Sequence, residues 1–325
     1  MTRSTLAVAG RLAGRRLGEG LLVLLAVSLL TFALLQATAG DAATAIALKR
    51  DGTATPAAVA AIRADLGLDL PAPVRYLRGL GDLLRGHLGI SLRTGQGVGG
   101  EVTARIGPTL TLASAGALVA VVVGLGAAVL AAASTGRAAR ALLVLPVRAG
   151  SVALLSLPSF ALAYVGVLAL SLRLGVLPTQ GMAGWPSLVL PAAVIGLPLA
   201  AAVARVAEAR LRATLTEPFV VTARARGLSP LRCLLTVALP NAAAPLLVVV
   251  GNQVGYAVAG TLVAETVFGW PGLGDYLVDA LRFRDWYPLQ AAALLIAAAA
   301  VLTRGVAGSL AALVDARAGS SRAPA

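Results

Sequence analysis

Residues 110–133 read LTLASAGALVAVVVGLGAAVLAAA, a run without one ionisable side chain. No other feature limits the fold as tightly. A hydrocarbon core of roughly 30 Å is crossed by about 20 helical residues, and inside it every backbone group must find its partner within the protein. Comparable runs near 19–38, 151–172, 187–206, 242–264 and 289–314 bring the expected spans to six. None shows the period of two that a barrel strand requires, so the predicted fold class is all-α, a polytopic membrane protein. A mean hydropathy of +0.87 agrees, because such a chain has too few polar groups to cover itself in water.

The formal charge of +13 raises nucleic-acid binding, but the distribution argues against it. Arg3, Arg11, Arg15 and Arg16 precede the first run, Arg137, Arg140 and Arg148 separate the second from the third, and Arg205, Arg210, Arg212, Arg224, Arg226 and Arg232 separate the fourth from the fifth. Alternate connections are therefore basic, as positive-inside topology demands, and no stacking aromatics lie among the arginines. Both termini are predicted cytoplasmic. The N-terminal basic leader followed by ATA at Ala37–Ala39 also has the form of a cleavable signal, but removing it would leave an odd number of spans and invert the charge pattern. The expected organisation is a cytoplasmic N-terminus at 1–18, a first span at 19–38, a long external segment at 39–109, a five-helix core at 110–314 with a cytoplasmic segment at 207–241, and a cytoplasmic tail at 315–325.

Catalytic and metal chemistry find little footing. One cysteine, Cys233, and one histidine, His87, exclude a Cys/His metal cluster or a disulfide within the chain. The sole lysine, Lys49, lacks the glycine-rich approach of a phosphate loop. No catalytic residue, metal ligand or cofactor is expected, and the chain is not an enzyme by itself. The central parts of the spans lack Asp and Glu, which disfavours a proton-driven secondary carrier. Arg304 is the one deep charge, placed either on a path, snorkelling, or facing another subunit.

The segment between the fourth and fifth runs is longer than a helix hairpin needs. Glu217-Pro218 can open a helix, FVVTARAR supplies about two turns, and Gly227 with Ser229-Pro230 ends it before LRCLLTVAL resumes. Val220, Ala223 and Gly227 share one side while Arg224 and Arg226 project elsewhere. The pattern fits a short membrane-parallel helix able to enter a groove on a cytoplasmic partner, or else a solvated loop that fixes topology. Polar residues that line a path or join helices are Ser156, Ser159 and Tyr164 in the third run and Asn252, Gln253 and Tyr256 in the fifth. GWPGLGDY reads as a turn-rich external plug, with Trp270, Trp286 and Tyr287 at interfacial depth.

The order Val221-Thr222-Ala223, then Gly227, then Val237-Ala238-Leu239-Pro240 resembles the cytoplasmic signature of ABC-importer permeases. The acidic residue that often opens that signature is replaced by Val221; TARARGLS is similar instead to the dipeptide, oligopeptide and nickel branch. GDAA, LGLDLPAPVRYLRGLGDLLRGHLGISLRTGQGV, SLPSFALA, LRLGVLPTQG, LVLPA and ETVFGWPGLGDYLVDALRFRDWYPLQ resemble the same branch in order along nearly the whole chain. The resemblance implies a type I importer permease whose coupling helix, carried by Val221, Thr222, Ala223, Arg224, Ala225, Arg226, Gly227, Leu239 and Pro240, docks in a cleft of an ATPase subunit. It further implies ATP and Mg on two partner ATPase domains, a second homologous permease, an extracytoplasmic solute-binding protein and a bacterial inner membrane. An external gate at Trp270, Pro271 and Gly272 is implied by the resemblance alone. The implied cargo is a di- or oligopeptide, with nickel or a metal chelate as the alternative and a self-sufficient carrier or channel as the reading from another class.

Overall fold

The computed structural model describes residues 3–37, 43–44, 47–48, 53–65, 69–91, 93–134, 136, 138 and 140–320; the side chains of 3–17, 35, 65, 140, 143 and 310–320 fall outside the description. The four N-terminal arginines as side chains, most of GDAA, Lys49 and Arg137 therefore lie beyond it. Among the described residues the chain is helical: α1 Arg3–Ala37, α2 Pro56–Asp65, α3 Ala72–Leu84, α4 Val98–Ala133, α5 Leu145–Ser156, α6 Ser159–Gly166, α7 Trp185–Thr214, α8 Pro218–Ala225, α9 Pro230–Cys233, α10 Ala243–Phe268, α11 Leu273–Arg282 and α12 Trp286–Ser320. Widened π-helical stretches lead into α5 at Arg140–Val144 and prolong α6 at Val167–Arg173 and α9 at Leu234–Ala238.

Among the described residues four helices are long and apolar enough to cross a membrane: α4, α7, α10 and the Trp286–Ser309 part of α12. The expected third span, 151–172, is not one helix. Leu145–Ser156 and Ser159–Arg173 meet at 111°, and the pair counts as a fifth span only if taken together. The break has a local cause: Pro158 supplies no N–H and pushes the residue before it out of helical geometry, so Leu157 is extended at φ −89°, ψ 131°. The expected first span falls within the 35-residue α1, where the unbroken stretch with described side chains, Gly18–Leu34, is apolar.

Two compact units emerge, Met1–Gly107 with Gly272–Ala298, and Pro108–Pro271 with Ala299–Ala325. The first packs Val98 and Val102 against Leu273, Tyr276, Ala291 and Ala292. Its segment before α4 is not structureless: α2 and α3 form there, and a turn closes with Ile90 bridging Gly97. Asp285 fastens that turn, its Oδ2 accepting from Ser91 Oγ at 2.6 Å and from the Arg93 amide at 3.0 Å. Gly89 has φ +77°, and a Cβ there would stand 2.4 Å from the Tyr287 ring, so glycine is required twice over. Phe32 of α1 meets Trp286 edge-on at 5.1 Å, and Gln290 donates to Ser28 Oγ at 3.0 Å. His87 is exposed.

The second unit is built on close helix crossings. Gly116 and Gly124 of α4 lie against Ile195 and Val203 of α7, and Gly196 of α7 lies against Val119. Small residues let these backbones approach, which in lipid is the main source of helix attraction. Leu112, Leu190, Ile195, Phe268 and Trp270 fill one core, and Ala128, Ala207, Leu211, Leu234 and Leu246 another.

Candidate functional site

The connection between α7 and α10 takes the helix, turn, helix form that its punctuation predicts. Glu217 stands before α8 with Pro218 at its first position, where the missing N–H costs nothing. Only three residues separate α7 from α8, and they are bonded throughout: the Leu215 amide donates to Leu211 O at 2.9 Å, Thr216 to Ala213 O at 3.2 Å and Glu217 to Thr214 O at 3.1 Å. After α8, Gly227 takes φ +90° and its amide donates to Arg224 O at 2.9 Å, ending the helix. Ser229 is extended, and Pro230 opens α9.

This geometry sorts the candidate residues into two faces. Val220 is fully buried, and Ala223 is half-buried. Val221, Thr222, Arg224, Ala225, Arg226 and Gly227 are exposed, with 56% of Val221 accessible. An apolar residue so placed on a short helix, ringed by two arginines, is free to bury itself against another surface. A Cβ on Gly227 would meet nothing within 4 Å, so its requirement is the left-handed backbone and not a close approach within this chain. Leu239 is half-buried and Pro240 exposed in the short turn Leu239–Asn241, which leads into α10.

Of the expected path residues, Ser156 ends α5 before the break at Pro158, Ser159 and Tyr164 lie on α6 after it, and Asn252, Gln253 and Tyr256 lie on α10, which packs against α6. Ser156 is exposed and donates to Val152 O at 2.8 Å, a bond within its own helix. Ser159 is exposed, and Tyr164 is 64% accessible. On α10, Asn252 and Tyr256 share an exposed face, and Gln253 is half-buried. The Arg304 guanidinium of α12 lies over the Tyr256 ring at 4.9 Å, so this cation has an aromatic partner within the chain. Gly255 makes room for it, since a Cβ there would come within 3.3 Å of Arg304 Cγ.

The residues expected at the external plug and gate differ in burial. Trp270 is not an interfacial anchor: it is 2% exposed, sits in the core with Phe268, and donates its indole N–H to Pro108 O at 3.0 Å. Pro271 is exposed and Gly272 buried. GWPGLGDY is a turn only at its start; Gly269, at φ 58°, caps α10, and the rest belongs to α11. Glu265, one residue past the fifth run expected at 242–264, is fully buried inside α10 and accepts from Thr109 Oγ1 at 2.8 Å. Within α11, Tyr276 donates to Glu101 while the Arg105 guanidinium covers its ring at 4.3 Å. Burial first, and then the hydrogen bond to Glu101, push the Tyr276 hydroxyl well above its ordinary pKa.

Sequence reasoning missed a charged cluster at the end of α7. Glu208 is 8% exposed and accepts from Arg148 of α5 at 2.5 Å and from Arg212 at 2.8 Å. The Glu208–Arg212 spacing of four was legible; the arrival of Arg148, sixty positions earlier, was not. Among the described residues no group of three or more Cys, His, Asp or Glu is placed to hold a metal ion.

Comparison with known proteins places these features. Residues 120–319 match the family model of the binding-protein-dependent transport system inner membrane component, and residues 11–113 match the model of its N-terminal region. The chain is similar to a protein named as a peptide permease in Brucella suis biovar 1, 36% identical over 93% of this chain and 97% of that one. It is similar to a protein named as a peptide ABC transporter permease in Sinorhizobium fredii, 35% identical over 89% and 92% of the two chains. It is also similar to the glutathione transport system permease protein GsiC of Escherichia coli K12, 34% identical over 83% and 86%. A multi-pass helical chain matched along most of its length in this way belongs to the family of binding-protein-dependent transport system inner membrane components.

Proposed function

We propose that this chain is the permease subunit forming half of the translocation path of an ATP-driven importer for di- or oligopeptides. The observation that carries the reading is the α8 face. Val221, Thr222, Arg224, Ala225 and Arg226 stand exposed on a helix whose other side is anchored by Val220 and whose end is fixed by Gly227. Such a helix serves as the docking element for a separate motor: two ATPase domains that bind ATP and Mg, pulling α7 through its three-residue link. A second, homologous permease completes the path, and an extracytoplasmic binding protein delivers cargo. Both termini and the α8 segment face the cytoplasm. Asn252, Gln253 and Tyr256 on α10, with Ser156, Ser159 and Tyr164 flanking the Pro158 break, line the path, and Trp270, Pro271 and Gly272 lie at its outer end.

The peptide assignment is supported by the relatives named as peptide permeases and by the glutathione permease, glutathione being itself a tripeptide. Proteoliposomes carrying the assembled complex test it, with tri-alanine, glutathione and nickel ion as probes. Uptake of tri-alanine or glutathione that needs ATP, both permeases and the binding protein is expected. Uptake by this chain alone would refute the importer reading in favour of a carrier or channel, and uptake of nickel alone would refute the peptide assignment.

A further inference from the structure

We infer that Glu208 is a positioning residue for transport, fastening three helices at one point so that a displacement of α8 reaches the broken span. The inference rests on the coupling reading above. Glu208 Oε1 accepts from Arg148 Nη2 at 2.5 Å and from Arg212 Nε at 2.8 Å, and its Oε2 lies 3.4 Å from Arg148 Nε. Arg148 belongs to α5, the first arm of the pair bent at Pro158. Arg212 continues past Glu208: its Nη2 donates to Ala131 O at 2.8 Å, one of the last carbonyls of α4, which has no acceptor role left inside its own helix. One carboxylate thus joins α5 to α7, and one guanidinium joins α7 to the end of α4.

The position of this hub gives it consequence. It lies in the last two turns of α7, six residues before α7 ends, and the link Leu215–Glu217 to α8 is hydrogen-bonded at each residue. A pull on α8 passed along α7 therefore reaches Arg212 and, one turn further, Glu208. From there it divides, through Arg148 to α5 and the break, and through Arg212 to α4. Among the described residues packing alone joins α5 to α7 elsewhere, and nonpolar surfaces in lipid slide more readily than a charge-assisted hydrogen bond breaks. The side chain is nearly buried while Arg148 is 55% exposed, so the carboxylate is the fixed member and Arg148 the one that can be removed cleanly.

Arg148→Gln in the assembled complex tests the inference, because Glu208 keeps Arg212 and Ala131 keeps its donor. The expected result is ATP hydrolysis within about two-fold of wild type but import of tri-alanine or glutathione per ATP reduced roughly ten-fold, with Arg148→Lys restoring much of it. Unchanged import per ATP overturns the proposal, as does a parallel loss of import and hydrolysis. A second measurement needs no cargo. Nitroxide labels at Val206→Cys and Phe160→Cys, both exposed, in a Cys233→Ser background report whether the broken span follows α7. Trapping with ATP and vanadate should leave the wild-type distance unchanged and broaden it in Arg148→Gln. A wild-type shift of a helical turn, about 5 Å, overturns the hub whatever the cargo. Failure of α8 to contact an ATPase would instead refute the coupling reading, a separate outcome.

Discussion

Replacing Gly196 by alanine adds a single methyl group to the crossing of α4 and α7. That Cβ would lie 2.5 Å from Val119 Cβ and 2.6 Å from Gly116 O. Ordinary contact begins at 3.4 Å, and a backbone carbonyl cannot swing aside, so the helices must part by about 0.8 Å. Such a gap forfeits a quarter to a half of the dispersion energy along the seam, where Gly116–Ile195 and Gly124–Val203 pack equally closely. Overpacking of this kind costs about 1–3 kcal/mol. Gly126→Ala is the matched control on α4: a Cβ there meets nothing within 4 Å, and exchanging glycine for alanine inside a helix gains up to about 1 kcal/mol. Both variants are compared by unfolding the purified chain in mixed micelles of rising SDS fraction, followed by circular dichroism. Gly196→Ala should unfold at a lower fraction than wild type and Gly126→Ala at the same or a higher one. Equal midpoints for the two variants would refute the argument that close backbone contact holds this unit together.

Three further outcomes follow from the same geometry. Gly227→Val should lower binding-protein-stimulated ATP hydrolysis more than Gly227→Asn, because the cost, about 1–2 kcal/mol, lies in the φ of +90° and asparagine tolerates left-handed backbone better. Gly89→Ala, blocked by both its φ and the Tyr287 ring, should loosen the chain around Gly89 and speed its cleavage by added protease relative to Gly95→Ala, which meets no neighbour. Burial first, then the neighbouring Asp279 charge, raises the Asp275 pKa, so the folded chain holds that proton more tightly than the unfolded one. Stability is therefore gained as pH falls through the folded-state value and lost as pH rises through it, and Asp275→Asn should flatten that slope on the side above the ordinary Asp value of about 4 in the same SDS titration.

The parts legible in the sequence were those decided locally. Long apolar runs announced α4, α7, α10 and α12, and Pro218, Gly227 and Ser229-Pro230 bounded α8 and α9 because backbone chemistry at those residues leaves little choice. The break at Pro158 was in plain view but not decidable, since Pro108, Pro191 and Pro198 remain inside helices of the same chain. Whether a proline kinks or breaks a membrane helix depends on what neighbouring helices offer the freed carbonyls. Burial was likewise hidden. Nothing near Trp270 tells that its indole will find Pro108 O, and nothing near Glu208 tells that Arg148 will reach it. The length of α10 was underestimated because Glu265 reads as a solvated residue until Thr109 is seen beside it. Of the candidate site, the separation of Val220 and Ala223 from Arg224 and Arg226 was readable from helical spacing, but Gly227, expected on the side of Val220, is exposed past the helix end, and the pairing of Arg304 with Tyr256 required the crossing made by Gly255.

Site-directed crosslinking from α8 tests the central claim most directly. The only native cysteine, Cys233, is buried, so a single cysteine at exposed Arg226 carries the probe alone. In membranes containing the whole transporter, Arg226→Cys should crosslink to an ATPase subunit, with a yield that changes when ATP is trapped by vanadate. Labelling of that cysteine from the extracytoplasmic side of sealed vesicles, with no ATPase adduct in any nucleotide state, would contradict the account.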